Sequence, residues 1–132
     1  MNIPGYFLIT IFLSIALMHI YWAIGGSWGK NLAIPTTEKG IALFQPSALS
    51  CALIGALFIL FSFSIAFHSR FSSLIFWLMF FIFFLRAVGD FRYVGFFKKI
   101  KKTPFAERDT HFYSPLSLLI SLLILLQLKL FK

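Results

Sequence analysis

In a chain whose residues are 60% hydrophobic, the side chains able to hold a charge or move a proton gather in three short segments: HIYWAIGG (His19–Gly26), RAVGDFRYVGFFKK (Arg86–Lys99) and RDTHFYSP (Arg108–Pro115). His19 sits in an otherwise apolar run, where an imidazole needs a hydrogen-bond partner and can titrate near neutrality. Read as one helix at 100° per residue, the second segment places Arg86, Asp90, Tyr93 and Phe97 on a single stripe, with Arg86 and Asp90 as i, i+4 neighbours able to pair. Two chemistries fit that pair. In one, Asp90 only neutralises an arginine that snorkels toward the headgroups and fixes the depth of the helix. In the other, Arg86 binds an anionic group while Asp90 orients it. His19, Trp22, Arg86, Asp90, Tyr93 and His111 are therefore the ligand-binding candidates. Phase separates Tyr21 from His19 by about 160° with Trp22 between them, so the three cannot all face one pocket; Tyr21 and Trp22 also suit an interfacial aromatic belt.

A second set is basic. Arg92 falls off the Arg86 stripe, and Lys98, Lys99, Lys101 and Lys102 are interleaved with Phe96, Phe97, Ile100 and Phe105. That pattern suits an anionic membrane surface, and a plain topology anchor accounts for it equally. The single cysteine, Cys51, allows no disulfide framework within the chain and no cysteine-based metal site. One histidine and one carboxylate suffice for proton transfer but not for a metal centre or a paired-carboxylate mechanism, so a membrane enzyme using His19 or Asp90 stands as the alternative to a binding protein. No cofactor and no metal are expected. Haem between His19 and His111 is the remote exception, His68 being at the opposite end. The net charge of +8 is expected to meet anionic headgroups rather than nucleic acid, since basic charge alone is unspecific.

These residues need elements to position them, and the composition dictates which. Charged residues are 12% and mean hydropathy is +0.91, against about a quarter charged in ordinary globular domains. At 132 residues there is room for one all-α integral membrane domain of four transmembrane helices. The apolar runs predict helices at about 4–24, 46–67, 71–94 and 115–131, with a basic loop at about 95–113. Gln45 and Pro46 mark the start of the second helix, and His68 to Arg70 a tight turn into the third, so those two form an antiparallel hairpin. Ser114 and Pro115 read as N-cap and first position of the fourth. Gly25 and Gly26 end the first, and the absence of Lys or Arg from Met1 to Tyr6 argues for a retained helix rather than a signal peptide. Counted from the outer ends, Ile3 to His19 and Phe71 to Arg86 both measure roughly 23 to 24 Å, which places the two residues at similar depth.

Four crossings put both termini on one side. Lys30, Lys39, Arg92, Lys98, Lys99, Lys101, Lys102 and Arg108 lie on the other, against Arg70, Lys129 and Lys132. The positive excess marks the cytoplasmic side, so both termini of this cytoplasmic-membrane protein are expected outside. Small residues such as Ser62, Ser64 and Ser73 are expected to serve helix packing. The chain's size makes a homo-oligomer, or docking to another membrane protein as an assembly subunit, a further possibility. The familiar small drug exporters use a carboxylate within the first helix, and here there is none.

The three polar segments together resemble the signature of a family of small bacterial membrane proteins, domain of unknown function 3995. The matching positions are His19, Tyr21, Trp22, Gly25, Gly26, Arg86, Gly89, Asp90, Arg92, Tyr93, Tyr113, Ser114 and Pro115. The resemblance covers nearly the whole chain and implies a four-helix multipass protein. It brings no activity, substrate or cofactor, and so assigns no catalytic residue. The function expected from the residues is the binding or transport of an anionic lipid headgroup or small metabolite at a cytoplasmic-side polar pocket.

Overall fold

A computed structural model describes residues 2–67 and 72–130. It is helical, with α1 (Ile3–Ala23), α2 (Lys30–Ala33), α3 (Ala48–Ala66), α4 (Ser72–Val88), α5 (Pro104–Arg108), a five-residue π-helical turn (Asp109–Tyr113) and α6 (Ser114–Leu130). Among the described residues β pairing is confined to an isolated bridge between Thr36 and Ala42. The expected turn at His68 to Arg70, the start of the third helix at Phe71, its end residues' counterpart at Phe131 on the fourth, and the outer charges Arg70 and Lys132 lie outside the described residues. Three helical stretches, Ile3–Ala23, Ala48–Ala66 and the continuous run Pro104–Leu130, are long and apolar enough to cross a membrane, and α4 is a shorter apolar helix. They expose large apolar side chains such as Leu17, Leu53, Leu60 and Leu122. Helices apolar on every face belong in lipid, because hydrocarbon rather than water tolerates such a surface.

The chain divides into two compact units, one formed by residues 1–26, 46–80 and 122–132, the other by 27–45 and 81–121. In the first unit α1 and α3 run antiparallel. Phe12 meets the rings of Phe58 and Phe61 at 5.5 and 5.8 Å between centroids. About one turn further along α1, the missing side chain of Gly55 lets α3 approach the Ala16 carbonyl, the small-residue contact that brings membrane helices together where no hydrophobic effect exists between them. Leu8, Phe12 and Ala16 are buried on α1, and Cys51, Phe61 and Ile65 on α3. Asn2 caps α1 by accepting from the Gly5 N–H at 2.9 Å, while its Nδ2 donates to Gln127 Oε1 of α6 at 2.7 Å. At the other end the Gly25 and Gly26 N–H groups bond to the Trp22 and Tyr21 carbonyls with Gly25 at φ 101°, a Schellman stop. Gly26 lies against the Tyr21 ring, which any added Cβ would strike.

The second unit corrects two sequence expectations. The third helix stops at Val88 and does not run on to residue 94. Gly89, at φ 90°, turns the chain out, and its N–H closes the helix on the Leu85 carbonyl at 2.8 Å. The Arg86–Asp90–Tyr93–Phe97 stripe therefore does not exist as a helical face. The segment expected to be a basic loop up to residue 113 instead starts a helix at Pro104. Thr103 is its N-cap, accepting from the Ala106 N–H at 3.1 Å, and Ser114, with helical backbone angles, lies inside the continuous helical run. The same Ser/Thr-Pro signal occurs at both places, and the earlier one is the cap. In α3 the start likewise falls slightly later than Pro46, with Ser47 as the cap. Between α4 and α5 the chain forms a tight loop over residues 89–95. Gly89 and Gly95 pass backbone against backbone, so that a Cβ on Gly89 would fall on the Val94 carbonyl and one on Gly95 on the Val88 carbonyl.

This crossing yields a graded prediction. Gly40→Ala, at φ 78° with open space around the added carbon, should cost about 1 to 2 kcal/mol from backbone conformation alone. Gly89→Ala and Gly95→Ala add a collision with backbone and should cost about 3 kcal/mol or more. Thermal unfolding of the three variants in detergent measures the order, and equal losses in all three would contradict the crossed-backbone geometry.

Candidate functional site

The second unit is organised on Asp109, a carboxylate with no exposed side-chain surface. Its Oδ1 accepts from Arg86 Nη2 at 2.7 Å. Its Oδ2 accepts from the Gly95 N–H at 2.8 Å and from Lys98 Nζ at 2.9 Å. The Lys98 ammonium, 1% exposed, completes its three donors on the Gly95 carbonyl at 2.9 Å and Thr110 Oγ1 at 2.7 Å. A buried ion needs its charge and its hydrogen-bonding groups partnered; Lys98 uses all three of its donors, and Asp109 accepts three bonds with two cations beside it. The local helix geometry serves the same end. Asp109 to Tyr113 form the π-helical turn between α5 and α6, and such turns recur where a side chain must leave the ordinary helical register.

Lys98 is therefore corrected from a lipid-surface residue to an internal partner of Asp109, whereas Arg92, Lys99, Lys101 and Lys102 are exposed. Arg86 pairs with Asp109, not with Asp90. Its side chain remains 32% exposed, and its Nη1 is buried without a hydrogen-bond partner among the described residues. Two cations share one carboxylate, which leaves the cluster with one excess positive charge.

Asp90 does something else. Its Oδ1 accepts from the backbone N–H groups of Arg92, Tyr93 and Val94 at 2.9, 2.7 and 2.9 Å, closing the 89–95 loop on itself. Slight burial acts to raise its pKa, but the three backbone N–H donors outweigh it and hold the carboxyl below the usual carboxylate range. Tyr93 carries the Arg92 guanidinium over its ring, 5.1 Å from the centroid. Facing this loop is an open groove of about 810 Å³ bordered by Glu38, Lys39, Asp90, Arg92 and Lys99.

Of the other candidates, His111 is exposed and its ring Nδ1 donates to the Glu107 carbonyl at 2.9 Å. His19 and Trp22 belong to the first unit. The His19 Nδ1 donates to the Ile15 carbonyl at 2.9 Å, and its ring stands 5.1 Å from Trp22 and 5.9 Å from Phe58. No group of three or more His, Cys, Asp or Glu side chains suited to a metal ion occurs among the described residues.

Asp109 is the residue that sequence reasoning missed. The available signal was Thr103-Pro104: taken as a helix start, it puts Asp109 inside a long, largely apolar helical run, where a carboxylate calls for a cationic partner. Two outcomes are expected. Asp109→Asn or Lys98→Met each leaves an opposite charge buried and should cost about 3 to 5 kcal/mol, with the double variant costing clearly less than the sum in a double-mutant cycle. Asp90 stabilises the fold above the ordinary carboxylate pKa of about 3.9 and loses that contribution as pH falls through its lower folded value. Asp90→Asn should flatten this acid limb when unfolding is followed by circular dichroism between neutral pH and the carboxylate range.

A family model described as Protein of unknown function (DUF3995) matches residues 12–124, a stretch that contains every residue of this cluster. No curated protein matches the chain, and no solved structure does.

Proposed function

Because the chain belongs to the DUF3995 family of proteins of unknown function, which lends it no activity, we propose from the geometry that it binds an anionic group at Arg86. On this reading the four apolar helices α1, α3, α4 and α6 cross the cytoplasmic membrane as a bundle, with both termini outside and the Arg86 cluster at the cytoplasmic end. The positive excess of the two long connections supports that orientation. The ligand is a lipid headgroup or a small anionic metabolite, held or carried at that end.

One observation carries the proposal. Arg86 spends Nη2 on Asp109 and keeps Nη1 without a partner in a cluster of two cations and one carboxylate. A guanidinium anchored through Nη2, with Nη1 unpaired and the side chain still 32% exposed, has donors left over for an oxyanion that seats against it. Proton-transfer catalysis by Asp90 has less support, because its Oδ1 is held by three backbone N–H groups that close the loop.

The test is thermal unfolding of the detergent-purified protein titrated separately with inorganic phosphate, phosphatidylglycerol and phosphatidylcholine. A ligand at a hundred times its Kd stabilises by about 2.7 kcal/mol. Phosphatidylglycerol alone raising the melting temperature identifies a lipid headgroup, and phosphate also raising it identifies a soluble anion. Arg86→Lys keeps the charge facing Asp109 but removes the second nitrogen, and should melt near the parent while losing the anion-dependent rise. An Arg86→Lys protein stabilised as strongly as the parent overturns the proposal.

A further inference from the structure

Phe91 has a backbone conformation that its residue type disfavours. It is the one non-glycine residue at positive φ, 63°, among the described residues, in a region that bulky side chains rarely enter. Its ring is nonetheless 58% exposed, so burial does not explain the strain. The ring leans on Phe97, 6.4 Å away between centroids, and Phe97 is itself 65% exposed. The strain is held in place by the three bonds of Asp90 on either side of which the loop turns and by the Gly89–Gly95 crossing. Backbone strain sustained by its surroundings is grounds for asking what the strained residue does. Here the effect is to hold two phenyl rings together and outward.

What covers them is indicated by position and charge. Phe91 follows Val88, the last residue of α4, by three residues, so its Cα lies within roughly 11 Å of the helix end. With α4 in a bilayer, that distance keeps the ring pair at the membrane boundary. Arg92, Lys99, Lys101 and Lys102 beside the pair in sequence are all exposed, and exposed acidic residues are absent from 91–102. We propose that Phe91 and Phe97 form an aromatic wedge that inserts into the leaflet at the end of α4, and that the surrounding basic side chains seat it on anionic headgroups. Apolar rings flanked by lysine and arginine have this affinity for an anionic interface. The occupant is the bilayer surface itself, and the wedge depends on α4 lying in the membrane but not on any ligand at Arg86.

The experiment places a nitroxide at position 91 or 97 (Phe91→Cys or Phe97→Cys, each with Cys51→Ser) in the full chain, reconstituted into phosphatidylcholine vesicles with or without one quarter phosphatidylglycerol. Collision with oxygen, which concentrates in lipid, is compared with collision with a water-soluble nickel chelate, and Glu38→Cys provides a reference in the exposed turn before Gly40. The wedge predicts oxygen-dominated accessibility at 91 and 97, increasing when phosphatidylglycerol is present, and nickel-dominated accessibility at 38. Position 97, which is free of the positive φ, keeps the test decisive if Phe91→Cys does not fold. Nickel-dominated accessibility at 97 overturns the wedge, as does burial from both reagents, which would mean a protein partner. Identical lipid exposure with and without phosphatidylglycerol overturns the anionic seat. Since Arg86 is intact throughout, these outcomes are independent of the anion titration of Arg86→Lys.

Discussion

The second unit depends on a carboxylate that cannot stay where it is alone. Asp109 has no exposed side-chain surface, and an ionised carboxylate without partners in such surroundings would be too costly to keep. Each donor that answers it comes from a different stretch of chain: Arg86 from the end of α4, the Gly95 N–H from the loop after it, and Lys98 from just beyond. Satisfying one side chain thus draws the end of α4, the 89–95 loop and the α5–π segment into a single arrangement. The basic residues in this region divide accordingly. Lys98 is structural, whereas Lys99, one position later, is exposed.

The two aspartates of the unit have separate tasks. Asp90 satisfies backbone donors within its own loop; Asp109 fastens that loop to the helical run that begins at Pro104. The glycine crossing links the tasks, because only where Gly89 and Gly95 lie in contact does the loop return tightly enough to offer the Gly95 N–H to Asp109. The chain has only four acidic residues, and committing these two internally leaves Glu38 and Glu107 as the remaining negative side chains against a strongly basic surface.

The apolar helices were legible from hydropathy alone, since about 20 apolar residues in a row have few alternatives. The membership in a family and the end of α1 at Gly25 were also readable. The site was legible as a set of segments but not as a set of partners. Helical periodicity paired Arg86 with Asp90 on the premise that the helix continued, and Gly89 ended it. The residue four positions away was the wrong acid, and the right one was 23 positions away. Sequence spacing reports local contacts, whereas the choice of Asp109 follows from burial and tertiary placement. Lys98 was misread for a related reason: a lysine in a basic run looks like its neighbours until a buried carboxylate distinguishes it. Ser114 was misread because two equivalent cap signals compete, and the polar residues between them mimic a loop.

The hydrogen bond between Asn2 and Gln127 joins residues 125 positions apart within the first unit. Asn2 already serves as the N-cap of α1, a task it can perform as soon as α1 exists. Its second bond must wait for α6, which is made after α1, α3 and α4. Until then the first turn of α1 has only its local cap. The Gln127 side chain, 1% exposed in the finished fold, offers its Oε1 to Asn2 only when α6 packs into the unit. The bond thus ties together the two most distant stretches of the first unit and can form only once both helices are in place.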